Sequence, residues 1–200
     1  MMNTENEILE VKSFFDGNKF HENGPYTILI VEGRYHSILK GTADENFLYL
    51  MDTFRHGKVA KKCGNFMMPS MAEAHSHIFL DGDELDAGKR SAYLKSPREK
   101  LLATAWQNIE KYRKYGIRVI RDAGDIHGIN SEIRDALKNS DMTIISAGLG
   151  IRKKKRYGSF MAGEVEDCSS IKERIRKTAE TADAIKIILT GIIDFENAVV

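Results

Sequence analysis

Three apolar runs mark the start of the chain: Ile8 to Phe15, Tyr26 to Val31 and Leu48 to Phe54. Asp16-Gly17-Asn18, Asn23-Gly24-Pro25, Glu32-Gly33 and Gly41 punctuate them. Such punctuation is hairpin spacing and predicts a small β piece. After Gly64 apolar runs alternate with helical stripes, the pattern of βαβ units around a parallel sheet. Phe66-Met67-Met68 leads through Pro69 to His75-Ser76-His77-Ile78. Ser96-Pro97-Arg98-Glu99 then predicts a helix start, with a serine cap, a proline in the first helical position and a capping-box glutamate. Leu101, Leu102, Ala105, Ile109 and Tyr112 follow at helical spacing, and Gly116 falls where a terminating glycine belongs. The pattern continues with a strand at Ile117 to Ile120, a helix at Ser131 to Lys138 and a strand at Met142 to Ser146. A polar loop from Gly148 to Ser169, a helix carrying Ile171 and Ile175, and a strand at Ala184 to Leu189 complete it.

These elements define an α/β chain. The expected architecture is the first half of a (β/α)8 TIM-like barrel, residues 65–200, preceded by a small β-sandwich piece, residues 1–64. Four β/α steps are visible, whereas a full barrel needs about 250 residues. The chain is therefore expected to stop halfway round the barrel, as a truncated or partial polypeptide.

Composition changes this picture little but excludes several classes. With 42% hydrophobic and 30% charged residues, the chain has the makings of a packed core. Thirty Lys and Arg stand against 29 Asp and Glu, a net charge of +1, so no global field favours nucleic acid or an anionic membrane. Cys63 and Cys168 form no C-x-x-C pair, which argues against a disulfide framework or a thiolate zinc site and for a reducing, cytoplasmic setting. The first ten residues contain no apolar signal core, and no stretch reaches the roughly 18 consecutive apolar residues of a membrane helix.

The chemistry concentrates at Pro69-Ser70-Met71-Ala72-Glu73-Ala74-His75-Ser76-His77. On a strand, residues i and i+2 point to the same side, so two imidazoles can face one ion at the strand's C-terminal end. That end is where barrel enzymes keep their active sites. The alternative is a histidine pair in a loop with no ligand role. Proline, then His-x-His, then a βα series resembles the start of the barrel in the amidohydrolase superfamily, whose usual strand reads Pro-Gly-x-x-Asp-x-His-x-His. Ser70 stands here for the glycine and Glu73 for the aspartate. The resemblance runs from about Glu7 to Asp194 and is closest to imidazolonepropionase-like and Xaa-Pro dipeptidase-like members.

The resemblance implies a metal-dependent hydrolase of amide or other C–N bonds that uses a metal-activated water. His75 and His77 would hold Zn2+, with Mn2+ or Fe2+ as alternatives and one or two ions in all. A second signal is Lys186, in the middle of Asp183-Ala184-Ile185-Lys186-Ile187-Ile188. Both faces of a parallel barrel strand are covered, and a desolvated amine loses its proton more readily. In binuclear family members a lysine on strand four is carboxylated and bridges two metals, and Lys186 matches that position. The alternative is a lysine that snorkels to Asp183. The family draws further histidines from strands five and six and an aspartate from strand eight, all beyond Val200, so the 200 residues alone are expected to be inactive.

Other positions carry two readings each. Asp122 and Asp125, in Arg121-Asp122-Ala123-Gly124-Asp125, either orient a ligand histidine or cap a turn, and caps are the commoner use. His127 is a candidate substrate contact, while His21, His36 and His56 read as surface residues. Arg152-Lys153-Lys154-Lys155-Arg156 is a solvated loop or a site for an acidic substrate group. Expected partners are a small-molecule substrate and further copies of the chain, as a homo-oligomer. The competing class is a catalytically inactive fragment serving as a folding or binding module.

Overall fold

The computed structural model describes residues 6–31, 34–53 and 59–189. Their contacts divide into two compact units that part between Pro69 and Ser70. The first unit contains β1 (Asn6–Phe15), β2 (Phe20–His21), β3 (Tyr26–Val31), β4 (Arg34–Lys40), the helix α1 (Phe47–Thr53) and β5 (Val59–Met67). Strands β2-β1-β3-β4 run antiparallel, and β5 joins β1 in parallel. Neighbouring residues on a strand face opposite ways, and this sheet uses both faces. Val11, Phe14 and Ile28 form a core on one side, and Leu29 packs with Ala43 and Leu50 on the other.

Two expectations change here. The run at Leu48 was expected to be a strand, yet Phe47–Thr53 is helical; Phe54 lies outside the described residues. The reason is a reciprocal cap: the Thr42 hydroxyl accepts from Glu45 N at 3.2 Å, and Thr42 N donates to the Glu45 carboxylate at 2.6 Å. Leu50 is then the buried residue of the single apolar side that reaches the sheet. Phe66 and Met67, expected to begin the barrel strand, instead pair with Ser13 and Phe14 of β1.

The second unit contains β6 (Met71–Ser76), α2 (Ala87–Leu94), α3 (Arg98–Lys114), β7 (Ile117–Asp122), α4 (Ile129–Ala136), β8 (Thr143–Ser146), β9 (Gly150–Lys153), β10 (Ala162–Val165), α5 (Cys168–Ala179) and β11 (Ile187–Ile188). Strands β6-β7-β8 form one parallel sheet and β10-β9-β11 another. The loop expected over Gly148 to Ser169 thus contains two strands. The strand expected over Ala184 to Leu189 is paired at Ile187–Ile188, with the Lys186 carbonyl accepting from Ile151 N at 2.8 Å.

Leu101, Ala105 and Ile109 of α3 are fully buried against Ile120 of β7, Ile144 of β8 and Ile129 and Ile133 of α4, as the helical stripe predicts. The start of α3 differs from expectation. Pro97 occupies the cap position without a side-chain bond, because Ser96 N turns back to the Tyr93 carbonyl at the end of α2. Gly116, at φ +79°, ends the helix in the left-handed region that glycine favours. Cys63 and Cys168 are free and exposed. No helix among the described residues is long and apolar enough to cross a membrane.

Two measurements test this packing. Leu101→Ala should lower stability by about 2–5 kcal/mol in urea unfolding, the range for a buried leucine, whereas Lys114→Ala should change it by less than about 0.5 kcal/mol. In the β1–β2 turn, the Asp16 carboxyl is drawn from its ordinary 3.8 down to about 2, by Lys19 N–H first, then the His21 ring and Asn18 N–H. A depressed carboxylate stabilises the fold above its unfolded value and ceases to do so as pH falls toward 2. The Asp16 carboxyl should therefore titrate by NMR near 2; a midpoint near 3.8 would refute the turn geometry.

Candidate active site

The site is assembled where β6 ends. Beyond Ser76 the chain must turn over the sheet, and His77, Ile78 and Phe79 are tied down one by one. Asp122, the last residue of β7, is fully buried. One of its carboxylate oxygens accepts from Ile78 N at 2.8 Å, and the other from Gly124 N and the Asn130 side-chain amide, both at 2.9 Å. Burial pushes the Asp122 carboxyl upward, while these three donors and His77 nearby pull it down. Burial is the larger effect, so the Asp122 carboxyl lies above the ordinary carboxylate range.

Gly124, at φ +108°, has no room for a side chain, since a Cβ there would lie 2.9 Å from the Met161 carbonyl. Its own carbonyl accepts from His77 Nδ1 at 2.8 Å. A carbonyl can only accept, so Nδ1 carries the proton and Nε2 is left with a free lone pair. Among zinc-type sites this is the usual arrangement behind a ligand histidine. The His77 ring meets Phe160 edge-on, with centroids 5.6 Å apart, and the His75 ring at the same distance.

His75 is exposed, with its N–H bonded to the Glu73 carboxylate at 2.9 Å. Its Nε2 lies 3.4 Å from Lys186 Nζ, 111 positions along the chain. Desolvation first, then the charge of Lys186, holds His75 below the ordinary histidine pKa. The imidazole is thus biased to the neutral form that binds metals. Three of the four candidate residues, His75, His77 and Lys186, are therefore brought together. Asp183, the carboxylate offered as the alternative partner of Lys186, accepts from Ser146 N at 2.9 Å and pairs with Arg134 at 3.4 Å.

His127 stands apart, its ring edge-on to Phe79 and its carbonyl accepting from Arg98. Asp125 gathers the N–H groups of His127, Ile129 and Asn130 at the start of α4, the capping use of an acid in a glycine turn. In the basic run, Arg152 pairs with Glu164 at 2.8 Å and Lys154 with Glu166. His21 is half-exposed and pairs with Asp16, His36 is exposed, and His56 lies outside the described residues.

Sequence reasoning missed the supporting polar groups. Asn108 of α3 donates to the carbonyls of Ile78 and Leu80, each at 2.9 Å, and Asn130 is fully buried. Each asparagine interrupts an apolar helical stripe, a signal that was available. Among the described residues no group of three or more His, Cys, Asp or Glu side chains is placed to hold a metal. The donor set present is two imidazoles and an amine, which suits a borderline divalent ion such as zinc once the amine is neutral or carboxylated.

This arrangement of βα units and a separate β unit has counterparts among solved structures. The chain is similar to ochratoxinase from A. niger, with 14% identity over 94% of this chain and 47% of that one, at a TM-score of 0.71. It is similar to an Xaa-Pro dipeptidase with methionine bound in its active site, at 18% identity, 94% and 48% coverage and a TM-score of 0.67. A structure described as an amidohydrolase gives 14%, 93%, 47% and 0.70. The chain spans about half the length of these structures, and at such identities the likeness is one of fold. No protein-family model matches the chain, and no curated protein matches it in sequence.

Asp122 is the group whose loss this geometry makes most costly. Asp122→Ala should destabilise the protein by about 2–4 kcal/mol in chemical denaturation, since three donors lose their acceptor inside the fold. Asp122→Asn keeps the shape but turns a donor toward Ile78 N or Gly124 N, and should recover less than half of that loss.

Proposed function

We propose that the protein is a metal-dependent hydrolase of the amidohydrolase superfamily, cleaving amide or other C–N bonds in small molecules. The observation that carries this reading is the meeting of His75, His77 and Lys186 at the strand ends of a fold shared with a dipeptidase and an amidohydrolase. The unit from Ser70 on is then the first four β/α units of a (β/α)8 barrel, and the unit before it belongs to a small β-sandwich.

When bound, a divalent ion such as Zn2+ supplies Lewis acidity and an acidified water as nucleophile. His75 and His77 offer it neutral Nε2 atoms. The Gly124 carbonyl fixes the His77 tautomer and ring plane, and Asp122 fixes the turn that carries the ring. Lys186, once neutral, can add its lone pair to the carbon of carbon dioxide and release a proton to solvent, giving a carbamate anion that holds a second ion. Phe160 packs its ring edge-on against His77. His127 is outside this set, because its ring is engaged with Phe79.

Calorimetric titration with Zn2+ or Mn2+ tests the ligand set. His75→Ala and His77→Ala should each weaken binding by more than the roughly 10- to 100-fold caused by removing a partner behind a ligand, and Lys186→Met should cut the stoichiometry of a two-ion site. Unchanged affinity in both histidine variants would sink the proposal.

A further inference from the structure

The Phe160 ring that meets His77 also lines a cleft of about 840 Å3 between α2 and the loop 155–160. That volume lies in the range of small-molecule pockets. Its apolar surface comes from Leu80, Tyr93, Leu94, Tyr157 and Phe160. We propose that this cleft receives the carboxylate-bearing, apolar or aromatic part of the substrate, an inference that rests on the hydrolase reading above.

Charge is what selects the anion. Two acids line the cleft, and both are engaged: Asp81 accepts from Asp83 N at 3.0 Å, and Glu84 accepts from Asp86 N at 2.9 Å and pairs with Lys89 at 3.5 Å. The cations Arg90, Lys155 and Arg156 line the same cleft, and none of them makes an ion pair among the described residues. A ligand that brings its own carboxylate finds, at the rim of an apolar pocket, two guanidinium groups with no ion pair among the described residues, and the guanidinium fork is the cation that matches a carboxylate.

The loop is held in place by groups other than those cations. Gly158 has φ +98°, and a Cβ there would lie 2.3 Å from Ile188 Cδ1, two residues beyond Lys186. Arg152, whose side chain is 11% exposed, donates to the carbonyls of Ala162 and Arg156 and pairs with Glu164. The loop is thus fixed against the strand of Lys186 on one side and against His77 on the other. The side chain of Arg156 remains available to a ligand.

The probes are N-benzoylglycine and its neutral primary amide, titrated into the isotope-labelled protein and followed by amide NMR. The carboxylate should shift Gly88, Gly158 and Ser159 and bind about fivefold or more tightly than the amide, the scale of a few solvent-reached cation contacts. Arg90→Gln combined with Arg156→Gln should bring the carboxylate down to the affinity of the amide and leave the amide unchanged. Phe160→Ala should weaken both. Equal affinity of the two probes for the unaltered protein, or shifts confined to other residues, would overturn the proposal. The measurement needs neither metal nor turnover, so it fails separately from the metal titration that tests the hydrolase reading.

Discussion

A buried carboxylate must be given donors or it will not stay ionised, and Asp122 is given three from three different elements. Ile78 N belongs to the segment leaving β6, Gly124 N to the turn leaving β7, and the Asn130 amide to α4. Since one anion collects all three, the positions of these segments are coupled. The His77 ring takes its orientation from Gly124, which is itself held by Asp122. The candidate site is therefore a consequence of how one buried carboxyl group finds its hydrogen-bond donors inside the second unit.

The two faces of the β6-β7-β8 sheet are treated differently. Ile120 and Ile144 sit side by side in the register and face α3 and α4. Arg121 and Ile145, one residue further, point to the opposite face, which is less buried, and Arg121 lies close enough to His75 to disfavour its protonation. One face thus provides the hydrophobic stabilisation, at roughly 25 cal/mol per Å2 of apolar surface removed from water. The other is left free for polar chemistry. Lys186 reaches the same region from a second sheet, because the Ile151 N–H anchors its backbone to β9.

The adjoining cleft obeys the same division between structure and chemistry. Arg152 and Lys154 are neutralised by Glu164 and Glu166 across β9 and β10, so alternate members of one basic run hold the loop together. Lys155, at φ +60°, sits at the turn between them. A run that reads as uniform positive charge is in fact sorted by strand geometry into cations that hold the loop and cations with no ion pair among the described residues.

What the sequence determined by itself is what local spacing encodes. The stripe Leu101, Ala105, Ile109 specified α3 and its buried side, the alternation after Gly64 specified an α/β unit, and His75-Ser76-His77 marked the end of β6. These are periodicities of 3.6 and 2, properties of the backbone that need no partner. Tertiary structure decided the rest. Thr42 and Glu45 turned the Leu48 run into a helix, since an apolar run of that length reads equally as strand or helix until its cap and the surface for Leu50 are known. Only folding brought Lys186 to His75 across 111 positions, set Phe160 against His77, and tied Asn108 to the Ile78 carbonyl and Asn130 to Asp122. Those contacts depend on the order in which parallel strands pair, and no local pattern in the chain records that order.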